Sequence, residues 1–396
     1  MLRFPIHPFP ARMAPRIAHR QLSERRRSVV LDPMMGSGTT LATARLLGHR
    51  AIGFDLDPMA VLLSTAWCGD VDVSRVRGLG KTLLSRARHR AASLSAGEAY
   101  PKGADAATKR YVRYWFTLTA RKQLAALAAS IKLVRRDADR AVLWCAFSRL
   151  IVTKDAGASL ARDVSHSRPH LWYSKTPRLP FDHFPAALEL VIRGLPFVDG
   201  KRRTLVKASL GDARHIALRK NSVDIVITSP PYLNALDYMR GHRMALVWMG
   251  AKTRDLRQIR ANSTGTEAGI SEDEFPAALK PVLKALRLDK LDARHVGMLR
   301  RYILDLNLIT SEIARVLRPK GRAILVIGDS MLGGVPIRNS LAVRRLAQGH
   351  GLTLVRRRVR ALPENRRYLP PPDAVRARAG DLGKRMRREV ILEFAS

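Results

Sequence analysis

Two short segments carry residue types whose spacing could do chemistry. In Gly36-Ser37-Gly38, separated by four residues from the apolar run Val29-Val30-Leu31, two glycines flank a serine, and Thr39-Thr40-Leu41 follows. Glycines there let a backbone turn sharply and come close to a ligand. Asp55 ends the next apolar run about 20 residues on, where a carboxylate can accept hydrogen bonds from ribose hydroxyls. A nucleoside cofactor fits this pair. A plain strand-to-helix turn capped by Ser or Thr is the alternative for the loop alone. The loop is neither a P-loop, lacking the Gly-Lys-Ser/Thr ending, nor a G-x-G-x-x-G. The second segment, Ser229-Pro230-Pro231-Tyr232, follows the apolar run Ile225-Val226-Ile227. Two prolines fix φ and remove two N–H donors, so the chain leaves stiffly extended. The Ser229 hydroxyl and Pro230 carbonyl are then acceptors held beside the flat face of Tyr232. That set suits an exocyclic amino group on a base. A proline strand terminator with a buried tyrosine is the plain alternative.

The elements that must position these residues alternate strand and helix. Strand Ser28 to Asp32, the glycine loop, a helix from Leu41 to Leu47 and strand Ala51 to Phe54 make a βαβ unit, whose right-handed crossover puts both strands parallel in one sheet. Strands are also predicted at Thr204 to Leu210, Val223 to Thr228, Arg322 to Ile327, Leu352 to Val359 and Glu389 to Phe394, with a long helix from Ala293 to Leu317 stopped by Pro319-Lys320-Gly321. The pattern predicts an α/β fold with a parallel sheet that binds ligands at its C-terminal strand ends. Residues 67–200 read as a mostly helical, basic insertion and 251–275 as loop-like. The expected layout is a core in three parts (1–66, 201–250 and 300–396) with insertions at 67–200 and 251–299.

Charge points to the partner. The chain of 396 residues carries 71 Lys and Arg against 33 Asp and Glu, a net +38. A polyanion, most simply nucleic acid, is the functional reading, since phosphate contacts dominate such binding. Arginine-rich clusters at 25–27, 356–358, 366–367 and 385–388 could track phosphates, although each alone reads as a solvated face. The excess is spread along the whole chain and does not make one amphipathic membrane helix. Two cysteines, Cys68 and Cys145, exclude a disulfide scaffold and read as packing residues in a reducing, cytoplasmic setting. No apolar leader follows Met1, no run is long enough to span a membrane, and no ligand set for a metal is seen around His166 and His170.

Taken together, these motifs resemble the amino-type DNA methyltransferases, which use S-adenosyl-L-methionine to methylate N4 of cytosine or N6 of adenine. The family's cofactor segment is matched by Asp32-Pro33-Met34-Met35-Gly36-Ser37-Gly38-Thr39-Thr40, with Met34 where the family has Phe. The resemblance implies that Asp32, Pro33, Gly36, Ser37, Gly38 and Thr39 bind the cofactor, that Asp55 holds its ribose and that Asp212 meets the adenine amino group. It implies that residues 7–13, with Phe9 and Arg12, close over the methionine end. The catalytic tetrapeptide maps to Ser229, Pro230, Pro231 and Tyr232; Asn234, Asp237 and Tyr238 are further candidates for lining the pocket. Serine in the first position is typical of the N4-cytosine members. The implied activity is a site-specific DNA (cytosine-N4) methyltransferase of restriction-modification type. N6-adenine methylation, an RNA substrate and a non-catalytic nucleic-acid-binding protein are the alternatives. The resemblance covers residues 3–66, 204–250 and 300–396, and implies a Rossmann-like α/β fold, a mostly parallel sheet with an antiparallel last strand. C5-cytosine chemistry needs a cysteine nucleophile, and neither cysteine has a suitable setting.

Overall fold

The computed structural model describes residues 5–9, 12–154, 156–166, 169–196, 205–233, 237–266, 268–286, 291–362 and 388–396. Pro10, Ala11, Asn234, Arg366, Arg367 and residues 385–387, singled out above, lie outside the described residues.

Seven strands form the central sheet: β1 (Val29–Asp32), β2 (Arg50–Asp55), β3 (Val206–Leu210), β4 (Val223–Thr228), β5 (Leu317–Ile327), β6 (Thr353–Ala361) and β7 (Arg388–Ala395). Their spatial order is β6-β7-β5-β4-β1-β2-β3. β3, β2, β1, β4 and β5 run parallel, while β7 is antiparallel to both β5 and β6. The expected α/β class and antiparallel last strand are both present. From β1 the chain winds to β2 on one side, and later to β4 on the other. Strand order therefore reverses at β1 and β4, and a crevice opens beyond their C-terminal ends. Asp32 and Thr228 stand at that switch point, and the Thr228 hydroxyl donates to Asp32 at 2.7 Å.

The inner strands β1, β2, β4 and β7 are largely apolar because both faces are covered, while the edge strands β3 and β6 carry exposed Lys or Arg. One face packs on helices Thr39–Leu46, Pro58–Cys68 and Tyr238–Met249, and continues without a break into the insertion helices Val73–Ser93, Leu118–Lys132, Asp137–Arg149 and Pro180–Gly194. The insertion is helical as expected, yet it extends this layer of the core, since Ala141 to Phe147 are buried in the same cluster as Met59 and Leu63. The other face carries helices Ala293–Val316 and Asn339–Gly349.

Two expectations need correction. Residues 251–275 are not all loop: Thr253–Asn262 is a helix whose only buried residues are Thr253 and Leu256. Its sparse apolar pattern gave no periodicity to read. Also, β5 begins at Leu317, directly after the long helix, and not at Arg322. Pro319-Lys320-Gly321 forms an irregularity within the strand, where the pairing jumps from Val223↔Leu317 to Ile225↔Arg322 and Lys320 takes a φ of 64°. Among the described residues, no helix is long and apolar enough to cross a membrane.

Candidate active site

The glycine loop is shaped by two positive φ angles, 49° at Gly36 and 80° at Gly38. A side chain at Gly38 would also meet Ser64, its Cβ falling 2.5 Å from Oγ and 3.1 Å from Cα. The loop is held by the acid at the end of β2. One Asp55 oxygen accepts the Gly36 amide at 2.8 Å and the other the Asp57 amide at 2.9 Å. Burial first, then the Asp57 charge, raise the Asp55 carboxyl to about 7. Asp32, at the end of β1, is raised to about 6 by burial, against the pull of its bonds from Thr228, Thr40 and the Met34 amide. These two acids face the cavity at the switch point with little counter-charge. An added hydroxyl donor would relieve that cost.

The Ser-Pro-Pro-Tyr turn leaves β4 beside this loop. Ser229 Oγ donates to the Val326 carbonyl of β5 at 2.9 Å. Its one proton is thus committed, and its lone pairs remain to accept. The Pro231 carbonyl accepts from the Tyr302 hydroxyl at 2.9 Å, which pins the turn to the long helix. The Pro230 carbonyl accepts no hydrogen bond from the described residues. Burial raises the Tyr232 phenol, which keeps it neutral at physiological pH. The rigid turn therefore presents two oxygen acceptors next to an aromatic ring.

Other elements close the space between loop and turn. The Phe9 ring stacks on Tyr238, with centroids 5.5 Å apart and planes 15° apart, and lies over Gly36. Asp237 caps helix Tyr238–Met249 by accepting the Arg240 amide. On that helix His242, fully buried, meets the Asp57 carboxylate, which ties the turn side of the site to the end of β2. Asp212, after β3, is gripped through both oxygens by Arg214, whose guanidinium also reaches Asp305 and the Asn262 carbonyl. Burial opposes it, but the Arg214 contacts hold the Asp212 carboxyl below the usual range.

These parts enclose one cavity of about 520 Å³. Phe9, Arg12, Asp32, Pro33, Gly36, Ser37, Thr39, Asp55 and Asp212 line it, and so do Ser229, Pro230, Pro231 and Tyr232. Gly38 lies behind the lining, where it shapes the loop against Ser64. Both Asp237 and Tyr238 also reach the cavity, beyond their capping and packing roles. Sequence reasoning missed Asp57, Arg257, Arg260 and the Ser263-to-Thr266 loop, which line it too. Asn262-Ser263-Thr264-Gly265 has the residue types of a turn, but nothing local says that it folds back over Tyr232. Tyr302 was equally invisible, one aromatic within an amphipathic helix. Cys68 and Cys145 are buried away from the cavity, and burial raises both thiols, Cys68 to about 12. No cluster of three metal-ligating side chains occurs among the described residues.

Comparison with known proteins supplies the class. Residues 5–65 match the N6/N4 methyltransferase family model, described as DNA methylase. The type II methyltransferase M.MvaI of Kocuria varians is 20% identical over 98% of this chain and 89% of its own length. The type II methyltransferase M.MjaII of Methanocaldococcus jannaschii is 25% identical over 30% of this chain, and the match spans only 23% of that protein. Among solved structures, a SAM-dependent methyltransferase from Methanosarcina mazei aligns over 97% of this chain and 98% of its own, at 8% identity and a TM-score of 0.34. Residues 5–65 thus resemble DNA methylases, and the chain as a whole is similar to a type II methyltransferase.

Proposed function

We propose that the protein transfers a methyl group from S-adenosyl-L-methionine to an exocyclic amino nitrogen of DNA, at N4 of cytosine. The observation that carries this reading is the shared cavity, in which the glycine loop and the Ser-Pro-Pro-Tyr turn stand side by side. The residues present fit the cofactor. Gly36 lines the cavity without a side chain, Asp55 retains lone pairs for ribose hydroxyls, and Phe9 with Arg12 covers the remaining end. Asp212 would meet the adenine amino group, although here Arg214 engages it, so that contact requires the two to share a carboxylate. When bound, the sulfonium supplies an electrophilic methyl group.

The chain's own part is to ready the nucleophile. An exocyclic amine is a poor nucleophile because its lone pair is delocalised into the base. Ser229 Oγ and the Pro230 carbonyl accept its two N–H groups, draw the nitrogen towards tetrahedral geometry and stabilise the positive charge that develops. Tyr232 stacks on the base, which must leave the duplex to enter. Positioning supplies the rest, and no covalent adduct with the protein forms. Serine at position 229 supports cytosine N4 over adenine N6.

Incubation with labelled cofactor and DNA, followed by digestion to nucleosides, tests this. Label in N4-methyldeoxycytidine is the expected result. Label in N6-methyldeoxyadenosine would reassign the base, label on RNA alone would reassign the polymer, and no label on any nucleic acid would reject the reaction.

A further inference from the structure

Of the five tryptophans, four are buried: Trp67 (2% exposed), Trp115 (9%), Trp144 (7%) and Trp248 (0%). Trp172 is 59% exposed, and the adjacent Leu171 is exposed as well. A large aromatic left in water calls for an explanation, because tryptophan is among the more buried residues on average. Trp172 follows a small hairpin in which Ala161–Arg162 pairs with His170–Leu171. The indole is not loose there. The Arg162 guanidinium sits 4.8 Å from the ring centroid over one face, and His170 meets the ring at 89° with centroids 5.8 Å apart. The Trp172 and Tyr173 amides both donate to the Leu160 carbonyl, which fixes the chain on which the ring is mounted.

The surroundings are cationic. Lys154 is bonded to the hairpin through the Asp163 amide, and Arg178 is anchored through its amide to the Gly157 carbonyl. Both side chains are exposed, as is Lys175. The described carboxylate in this stretch, Asp163, faces His166 at 3.4 Å. The short turn Val164–His166 packs against helix Tyr238–Met249, whose first residues line the active-site cavity. The hairpin is thereby joined to the site through this one twelve-residue helix.

We propose that this hairpin is a DNA contact surface, in which Trp172 stacks on a base displaced from the duplex while Lys154, Lys175 and Arg178 meet the neighbouring phosphates. The inference rests on DNA being the substrate. Arg162 and His170 hold the indole in place while 59% of the residue stays open to a base, and the cations complement the phosphates. Stacking of this kind tolerates any base. It therefore assigns grip and strand opening to the hairpin, and not the reading of a sequence.

The location of Trp172 gives the test a direct signal, because it is the solvent-exposed fluorophore among four buried ones. DNA is titrated into the full chain while binding is followed by anisotropy of a label on the DNA and by tryptophan emission. We expect emission to be quenched in step with binding. Heparin, a polyanion without bases, should bind with little quenching. Trp172→Ala should weaken DNA affinity roughly tenfold with an unchanged salt slope and unchanged cofactor affinity, and Trp172→Phe should restore most of the loss. Replacing Lys154 and Arg178 together should instead lower the salt slope by about one unit per lost phosphate contact. Emission that stays constant at saturating DNA, quenching by heparin equal to that by DNA, or unaltered affinity of Trp172→Ala would each overturn the proposal. Methyl label on DNA with unquenched emission would sink the hairpin role alone. Quenching without methyl label would sink the reaction and leave the surface, and no DNA binding at all would remove both.

Discussion

The glycine loop and the Ser-Pro-Pro-Tyr turn leave neighbouring strands at the same edge of the sheet, yet they are stiffened by opposite means. The loop owes its shape to residues without side chains. Positive φ angles at Gly36 and Gly38 are held from outside by the Asp55 carboxylate and the wall at Ser64. The turn owes its shape to residues with too few freedoms, and a serine and a distant tyrosine fasten it to β5 and to the helix Ala293–Val316. The loop's backbone is thus held by a carboxylate, while the turn presents the Pro230 carbonyl and the Ser229 hydroxyl oxygen to the cavity. The first arrangement suits binding of an electron-rich, hydroxyl-bearing ligand. The second suits an amine that must give up its protons' share of charge.

Four measurements would break or sharpen this contrast. Ser229→Ala removes an acceptor at the turn and leaves the loop intact. We expect turnover to fall on the order of 10²-fold while the calorimetric affinity for cofactor stays unchanged, and lost cofactor affinity would show that the two regions do not divide the work. Gly38→Ala is the mirror case. Its φ of 80° and the 3.1 Å approach to Ser64 Cα force the loop to move, which should cost about 1–3 kcal/mol of stability and weaken cofactor at least tenfold, read by thermal unfolding and calorimetry.

The third concerns pH. Asp55 is raised from an ordinary 3.8 to about 7. Its contribution to stability is full below the unfolded value and is lost as pH rises through about 7. Ribose hydroxyls donating to the carboxylate favour the ionised form, so cofactor affinity should strengthen as pH rises through about 7. Asp55→Asn should bind more weakly and flatten that dependence. A wild-type affinity that is flat between pH 6 and 8 would show that Asp55 does not meet the cofactor. Smallest in effect is Tyr302→Phe, which deletes one hydroxyl at the turn. It should cost about 1 kcal/mol of stability and lower turnover a few-fold, with cofactor affinity constant.

Much of this site was legible residue by residue. The βαβ unit around Gly36, the acid at 55 and the proline pair each announced themselves by local chemistry, because tight turns and strand exits admit few residue types, whereas Asp32 came only through the family resemblance. The mostly parallel sheet followed from the alternation of apolar runs with helical spacing, and the antiparallel β7 agreed with expectation. Local pattern failed where structure depends on distant contacts. The helix Thr253–Asn262 buries too little to show a period, and the Pro-Lys-Gly break sits inside β5 because pairing with β4 carries the strand past it.

By itself the sequence determined which backbone conformations were available at the two turns, since glycine and proline act on φ within a single residue. Only the tertiary structure decided that the turns share a cavity, through the order of strands that puts β1 beside β4. It alone recruited Tyr302, His242, Asp57 and Arg257 to the same place. Those residues lie far apart along the chain and meet because burying the two faces of one sheet draws their helices together, a free energy that depends on the whole core and not on any short stretch of it.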